Sequence, residues 1–176
     1  LEDRLRVFFA ARPQPGLSLP TYVDLDRADP QRVIDVPGTV VLGVGSPGTF
    51  DADGVMPSAV VRLDSAVYLY YSGWCKLGGK APYNNATGLA IGSDAGLGFV
   101  RAYEGPILDR TAHEPWSATS PAVIRTERGW FMWYSSGTGW LEVDGKLEHE
   151  YVIKSATSSD GRTWDRPNVD VLPVLS

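Results

Sequence analysis

Two segments of this 176-residue chain gather acidic side chains among loop-forming residues. The first is Gly48-Thr49-Phe50-Asp51-Ala52-Asp53-Gly54-Val55-Met56-Pro57-Ser58; the second covers residues 109–121 and holds Asp109, His113, Glu114 and Trp116. Carboxylates that converge on one pocket can work on a glycosidic bond: one protonates the departing oxygen while the other attacks or activates water. The same acids can also be solvated loop residues, and sequence spacing leaves both readings open. Trp74, Trp116 and Trp140 fall in connecting segments, where an indole has little core to pack and can stack on the apolar face of a sugar ring.

Other chemistries fail on context. Gly43-Val44-Gly45-Ser46-Pro47-Gly48 has the letters of a dinucleotide loop, but the following residues continue as loop, so no helix N-terminus is offered to a pyrophosphate. Asp51-Ala52-Asp53-Gly54 lacks the third acid and the later Glu of a calcium loop. His113 and His149 are too far apart to suggest a metal site, so neither a metal nor any cofactor is expected. Asp94 and Asp160 lie in Ser-Asp turns, where a carboxylate accepts backbone N–H bonds and holds a hairpin. Asn85-Ala86-Thr87 fits the glycosylation triplet, a pattern that also arises by chance.

Short runs of Val, Ile, Tyr, Phe and Trp, separated by Gly, Pro, Asp and Asn, predict an all-β chain. Expected strands cover 5–10, 21–25, 39–44, 58–63, 67–72, 87–91, 122–126, 130–135, 151–157 and 169–174. Three of them are versions of one aromatic strand, and Phe9, Tyr71 and Tyr134 within them are 62 and 63 residues apart. A fixed period of that length, with about four strands per repeat, predicts a β-propeller over residues 1–176; a β-sandwich also uses short strands but demands no such repeat. At this period the chain holds nearly three blades, fewer than the four to eight of ordinary propellers. A partial ring exposes apolar faces and strand edges, so either a homo-oligomer or further C-terminal blades are expected.

The segments Gly48-Thr49-Phe50-Asp51, Gly54-Val55-Met56-Pro57-Ser58, Tyr68-Leu69-Tyr70-Tyr71-Ser72-Gly73-Trp74, Gly88-Leu89-Ala90, Gly105-Pro106-Ile107-Leu108-Asp109-Arg110, Ser120-Pro121 and Ser159-Asp160-Gly161 with Trp164 carry a resemblance. They resemble the five-bladed propeller glycoside hydrolases of the arabinanase, xylosidase, invertase and levansucrase type, nearest to glycosidase-like proteins from bacterial surface-polysaccharide gene clusters. The resemblance implies Asp51 as base or nucleophile and Glu114 as an orienting, pKa-tuning acid, although an Asp is usual at that second position. It places the general acid on a strand beyond Ser176, and Arg12, Trp74, His113 and Trp116 as sugar contacts. Hydrolysis of furanose- or pyranose-containing glycans is thus one expectation. A non-catalytic carbohydrate-binding or assembly module, supported by the missing third acid, is the other.

Composition argues against a polyanionic partner. The chain has 16 Lys and Arg against 21 Asp and Glu, a net charge of −5, and no stretch that concentrates cations for phosphate, so nucleic acid is not expected. No apolar run reaches the ~18 residues of a spanning helix, which argues against a membrane partner. Cys75 is the one cysteine and gives no disulfide framework, favouring a cytoplasmic location unless a signal segment has been removed.

Overall fold

The structure is a computed structural model that describes residues 3–93 and 98–172. Its described residues form ten strands and no helix. The first sheet is an antiparallel meander of β1 (Arg4–Ala11), β2 (Leu19–Asp26) and β3 (Val33–Asp35). The second is a four-strand meander of β4 (Gly54–Arg62), β5 (Val67–Lys76), β6 (Tyr83–Gly92) and β7 (Phe99–Arg101). The third contains β8 (Ala118–Thr126), β9 (Gly129–Val143) and β10 (Lys146–Ser158), extended by isolated bridges from Thr157 to Asp165 and from Lys154 to Asp170.

Neighbouring sheets meet through single parallel contacts, Ser18 with Gly54 and Ala86 with Ala118. Ser18 immediately precedes the middle strand β2 and Ala86 lies early in β6, and each meets the first residue of the next sheet's first strand. Three successive units with the same junction are blades, and the chain has the β-propeller fold with nearly three of them.

Strand β5 shows how the sequence builds this arrangement. Side chains alternate across a strand, so Val67, Leu69 and Tyr71 enter the cluster facing the first blade while Tyr68 and Tyr70 enter the cluster facing the third. Residues Val67 to Gly73 are all buried because both faces are covered. Each large apolar side chain so buried contributes ~1.5–3 kcal/mol before entropy is counted. The first cluster also holds Tyr22, Phe50, Val55 and Phe99, and the second Leu89, Trp130, Met132, Tyr134 and Trp164.

The first blade differs. On β1 the residues Leu5, Val7 and Phe9 are exposed, whereas Phe8 packs against the shared core beside Tyr22 and Phe99. Tyr71 and Tyr134 turn toward a preceding blade and are fully buried; Phe9, one period earlier, has no described blade to meet.

Two expected strands are corrected. Residues 39–44 run as irregular chain: Val41 and Leu42 are buried, and the Val41 backbone is satisfied by Pro20 O on one side and Phe99 N on the other, so the apolar run needs no ladder. Of 169–174, Asp170 makes one isolated bridge, Val169, Val171 and Leu172 are outside any strand, and 173–174 lie outside the described residues. The turn at Asp160 is as expected, its Oδ1 accepting the N–H groups of Arg162 and Thr163. Asp94 lies outside the described residues.

Candidate functional site

The loops before β4 and β8 do not release their acids into a pocket. Asp51 is fully buried. The Tyr71 hydroxyl donates to its Oδ2 at 3.0 Å, the Thr49 hydroxyl to Oδ1 at 3.0 Å, and Arg101 grips Oδ2 through Nε at 2.8 Å and Nη2 at 2.7 Å. One repeat later, Glu114 is 2 % exposed. The Tyr134 hydroxyl lies 3.0 Å from both of its oxygens, the Ser136 hydroxyl donates to Oε2 at 2.9 Å, and Arg166 Nη1 stands 3.6 Å from Oε1. Asp51 and Glu114 are therefore equivalent residues in successive blades, each holding a tyrosine hydroxyl and an arginine. Burial above all, and then the adjacent carboxylate, pushes the Tyr71 and Tyr134 phenols far above their ordinary pKa, so both remain neutral donors.

This geometry corrects the expectation of an accessible Asp51 carboxylate lining the channel pocket. A reacting carboxylate must reach substrate or water, and here both residues are enclosed and their oxygens engaged by protein donors. Asp53, two residues further, is also occupied: its Oδ2 accepts the Lys76 backbone N–H at 2.8 Å and its Oδ1 pairs with Lys76 Nζ at 3.2 Å. The backbone hydrogen bond, with help from the ammonium, holds that carboxyl below its usual range.

A cleft of about 320 Å³ opens instead where the first two blades meet. Arg12 follows β1, Ser18 precedes β2, Met56 is near the start of β4, Trp74 near the end of β5, and Tyr83 and Asn85 begin β6. Antiparallel neighbours bring the end of one strand beside the start of the next, which explains how distant residues share one rim. Gly54 sets the pose of Trp74, because the indole ring lies where a Cβ on that residue would project. Asn85 is 8 % exposed and its Oδ1 has no protein partner among the described residues. That oxygen is buried beneath the cleft surface, and an unpaired buried acceptor carries a cost that a ligand hydroxyl reaching it would relieve.

Of the expected sugar contacts, the structure brings Arg12 and Trp74 together and leaves His113 and Trp116 outside the cleft lining. His113 and Trp116 are exposed on the loop before β8. Sequence reasoning misses Met56, Tyr83 and Asn85 as lining residues. In the sequence Asn85 stands out only as part of a glycosylation triplet, and its burial shows it turned inward.

No family model matches the chain. It is 34 % identical over 171 residues to the uncharacterized proteins Rv1502 and MT1551 of two Mycobacterium tuberculosis strains, an alignment covering 96 % of this chain and 56 % of each relative. The chain thus spans about half the length of the curated relatives it matches. Among solved structures, a protein titled glycoside hydrolase superposes with a TM-score of 0.67 at 15 % identity, covering 99 % of this chain and 56 % of that one. A Bombyx mori GH32 beta-fructofuranosidase in complex with sucrose gives 0.60 at 14 % identity, covering 93 % and 32 %. A glycosyl hydrolase from Bacteroides ovatus gives 0.52 at 18 % identity, covering 66 % and 32 %. At such identities the shared property is the fold, and that fold is the propeller of glycoside hydrolases.

Proposed function

We propose that this chain is the carbohydrate-recognising part of a glycoside-hydrolase-like propeller, binding furanose- or pyranose-containing glycans in the cleft between its first two blades. The observation that carries the reading is the joint presence of Trp74, the Arg12 guanidinium and the unpartnered Asn85 amide oxygen around one concavity. An indole offers a flat apolar surface to the C–H face of a sugar, a guanidinium donates to ring or hydroxyl oxygens, and an amide oxygen accepts from a hydroxyl. The resemblance of the fold to a sucrose-bound fructofuranosidase supports a sugar over other small ligands. In this reading Asp51 and Glu114 are internal struts, and hydrolysis by a longer protein of this kind would use other carboxylates.

Titration with immobilised mono- and oligosaccharides of arabinose, fructose, galactose and rhamnose tests the reading. Wild type should bind at least one of these sugars, and Trp74→Ala and Asn85→Ala should each weaken that binding at least tenfold. Absence of sugar binding would overturn it. So would turnover of an aryl-glycoside panel by wild type that disappears in a folded Asp51→Asn variant, which would return Asp51 to the chemistry.

A further inference from the structure

The outer half of the β9–β10 hairpin carries an aromatic cluster that the cleft alone does not explain. Trp140 and His149 are directly opposite in the register, and their rings stack with centroids 4.3 Å apart and planes 9° from parallel. Tyr151 leans on the other side of the pattern, 4.4 Å from His149, and Tyr83 meets Trp140 edge-on at 5.2 Å. A bulge between Glu150 and Tyr151 adjusts the register so that these rings gather. Gly137, on β9, is required there, because a Cβ would strike both His149 Nε2 and Ser117 Oγ.

Tyr83 connects this cluster with the cleft. It lines the Arg12–Trp74 concavity, and it also lines a second concavity between the β5–β6 loop and the hairpin tip, walled by Lys80, Glu142, Lys146 and Glu148. The two hollows therefore share one wall. The second mixes both charge signs with a rigid aromatic edge, a combination suited to a neutral polyhydroxylated chain rather than to a phosphate or an apolar ligand. Its aromatic wall is Tyr83, braced from behind by Trp140, which meets it edge-on and is itself stacked on His149, so the phenol ring has little freedom left to lose on binding.

We propose that the β9–β10 hairpin and the β5–β6 loop form a second carbohydrate subsite continuous with the cleft across Tyr83, with Tyr83 as its stacking surface and Trp140 as the ring that positions it, so that the site selects a di- or oligosaccharide over a single sugar. The inference rests on the carbohydrate reading above and goes further by assigning ligand length to a named element.

Calorimetric titration with a mono-, di- and tetrasaccharide series of whichever sugar binds best among the immobilised set provides the test. Wild type should gain at least tenfold in affinity from monosaccharide to tetrasaccharide. Trp140→Ala should reduce that gain to threefold or less, and Trp140→Phe, which keeps a ring on His149, should restore most of it. Trp74→Ala should weaken every member of the series. Equal wild-type affinity for short and long sugars overturns the inference while leaving the carbohydrate reading intact. Loss of monosaccharide and tetrasaccharide binding in the same proportion in Trp140→Ala also overturns it, because the hairpin then acts only through general folding. If no member binds, the carbohydrate reading falls and this inference falls with it.

Discussion

The carboxylate of the second blade and that of the third occupy equivalent places but are held differently. Asp51 is short, and Arg101 from β7 comes in with two nitrogens at 2.7–2.8 Å. Glu114 is one methylene longer and reaches two hydroxyls, while Arg166 stays at 3.6 Å and donates to the Asp109 carbonyl instead. The blade therefore calls for an anion facing a tyrosine hydroxyl, and either acid can supply it when the remaining donors adjust. Catalysis would tolerate that exchange poorly, since a shift of about 1 Å in a reacting group can cost on the order of a hundredfold in rate.

The largest effect should come from separating the tighter pair. Arg101→Ala leaves Asp51 as a buried anion without its cation and should cost about 3–5 kcal/mol of unfolding free energy, measured by urea denaturation. Asp51→Asn should be milder than Arg101→Ala, because the remaining amide still accepts from Tyr71. In the third blade Glu114→Gln should cost about 1–3 kcal/mol, less than breaking the Asp51 pair, because hydroxyls rather than a close guanidinium satisfy that group. Equal losses from Arg101→Ala and Glu114→Gln would erase the distinction between the two blades.

His149 makes the β9–β10 hairpin sensitive to pH. Burial lowers the His149 pKa from its ordinary 6.5, and neither ring nitrogen has a protein partner among the described residues. The unfolded chain then takes up a proton more readily than the folded one. Stability from the neutral ring is complete above about pH 6.5 and is lost as pH falls below it toward the lowered folded value. Urea midpoints compared at pH 7.5 and pH 5.5 should drop in wild type and drop less in His149→Gln; equal drops would assign the sensitivity elsewhere. The smallest effect should come from Asp160→Ala, which removes two backbone acceptor bonds at an exposed turn and should cost about 0.5–1.5 kcal/mol in the same measurement.

Much of this architecture is readable in the sequence because alternation and repeat speak directly of packing. The tyrosines of Val67–Ser72 alternate between two buried faces, whereas Trp130, Met132 and Tyr134 bury one face of β9 and leave Trp133 exposed; the spacing of these two aromatic strands gives the blade period. The segment 39–44 misleads because an apolar run records burial and says nothing of how its backbone is satisfied; here two distant residues do that work. The acids are legible as loop acids but not as struts, since Arg101 lies 50 residues from Asp51 and nothing local announces it. One signal is present: carboxylate and tyrosine stand 20 residues apart in both blades, a fixed offset that a freely placed catalytic acid would not require. The cleft is half legible, because an exposed-looking Trp and Arg suggest sugar contact whereas Asn85 gains meaning only from its unpaired oxygen.

The direct strand-to-strand junctions between blades are short, Ser18 with Gly54 and Ala86 with Ala118, and the Val41 backbone adds one bridge from Pro20 to Phe99. Along the rest of their length the blades touch mainly through side chains, which protect few amides, the Ser120 N–H on the Ser72 hydroxyl being one. Each blade is then a nearly separate cooperative unit, able to open without first dismantling its neighbour's ladder. Amide exchange should accordingly resolve into blocks that follow the sequence, with slow protons on β5 and β6 and faster ones on β1, whose outer edge lends its amides to no other strand in the described chain. A ligand seated in the cleft would bridge the first two blocks and make them exchange as one.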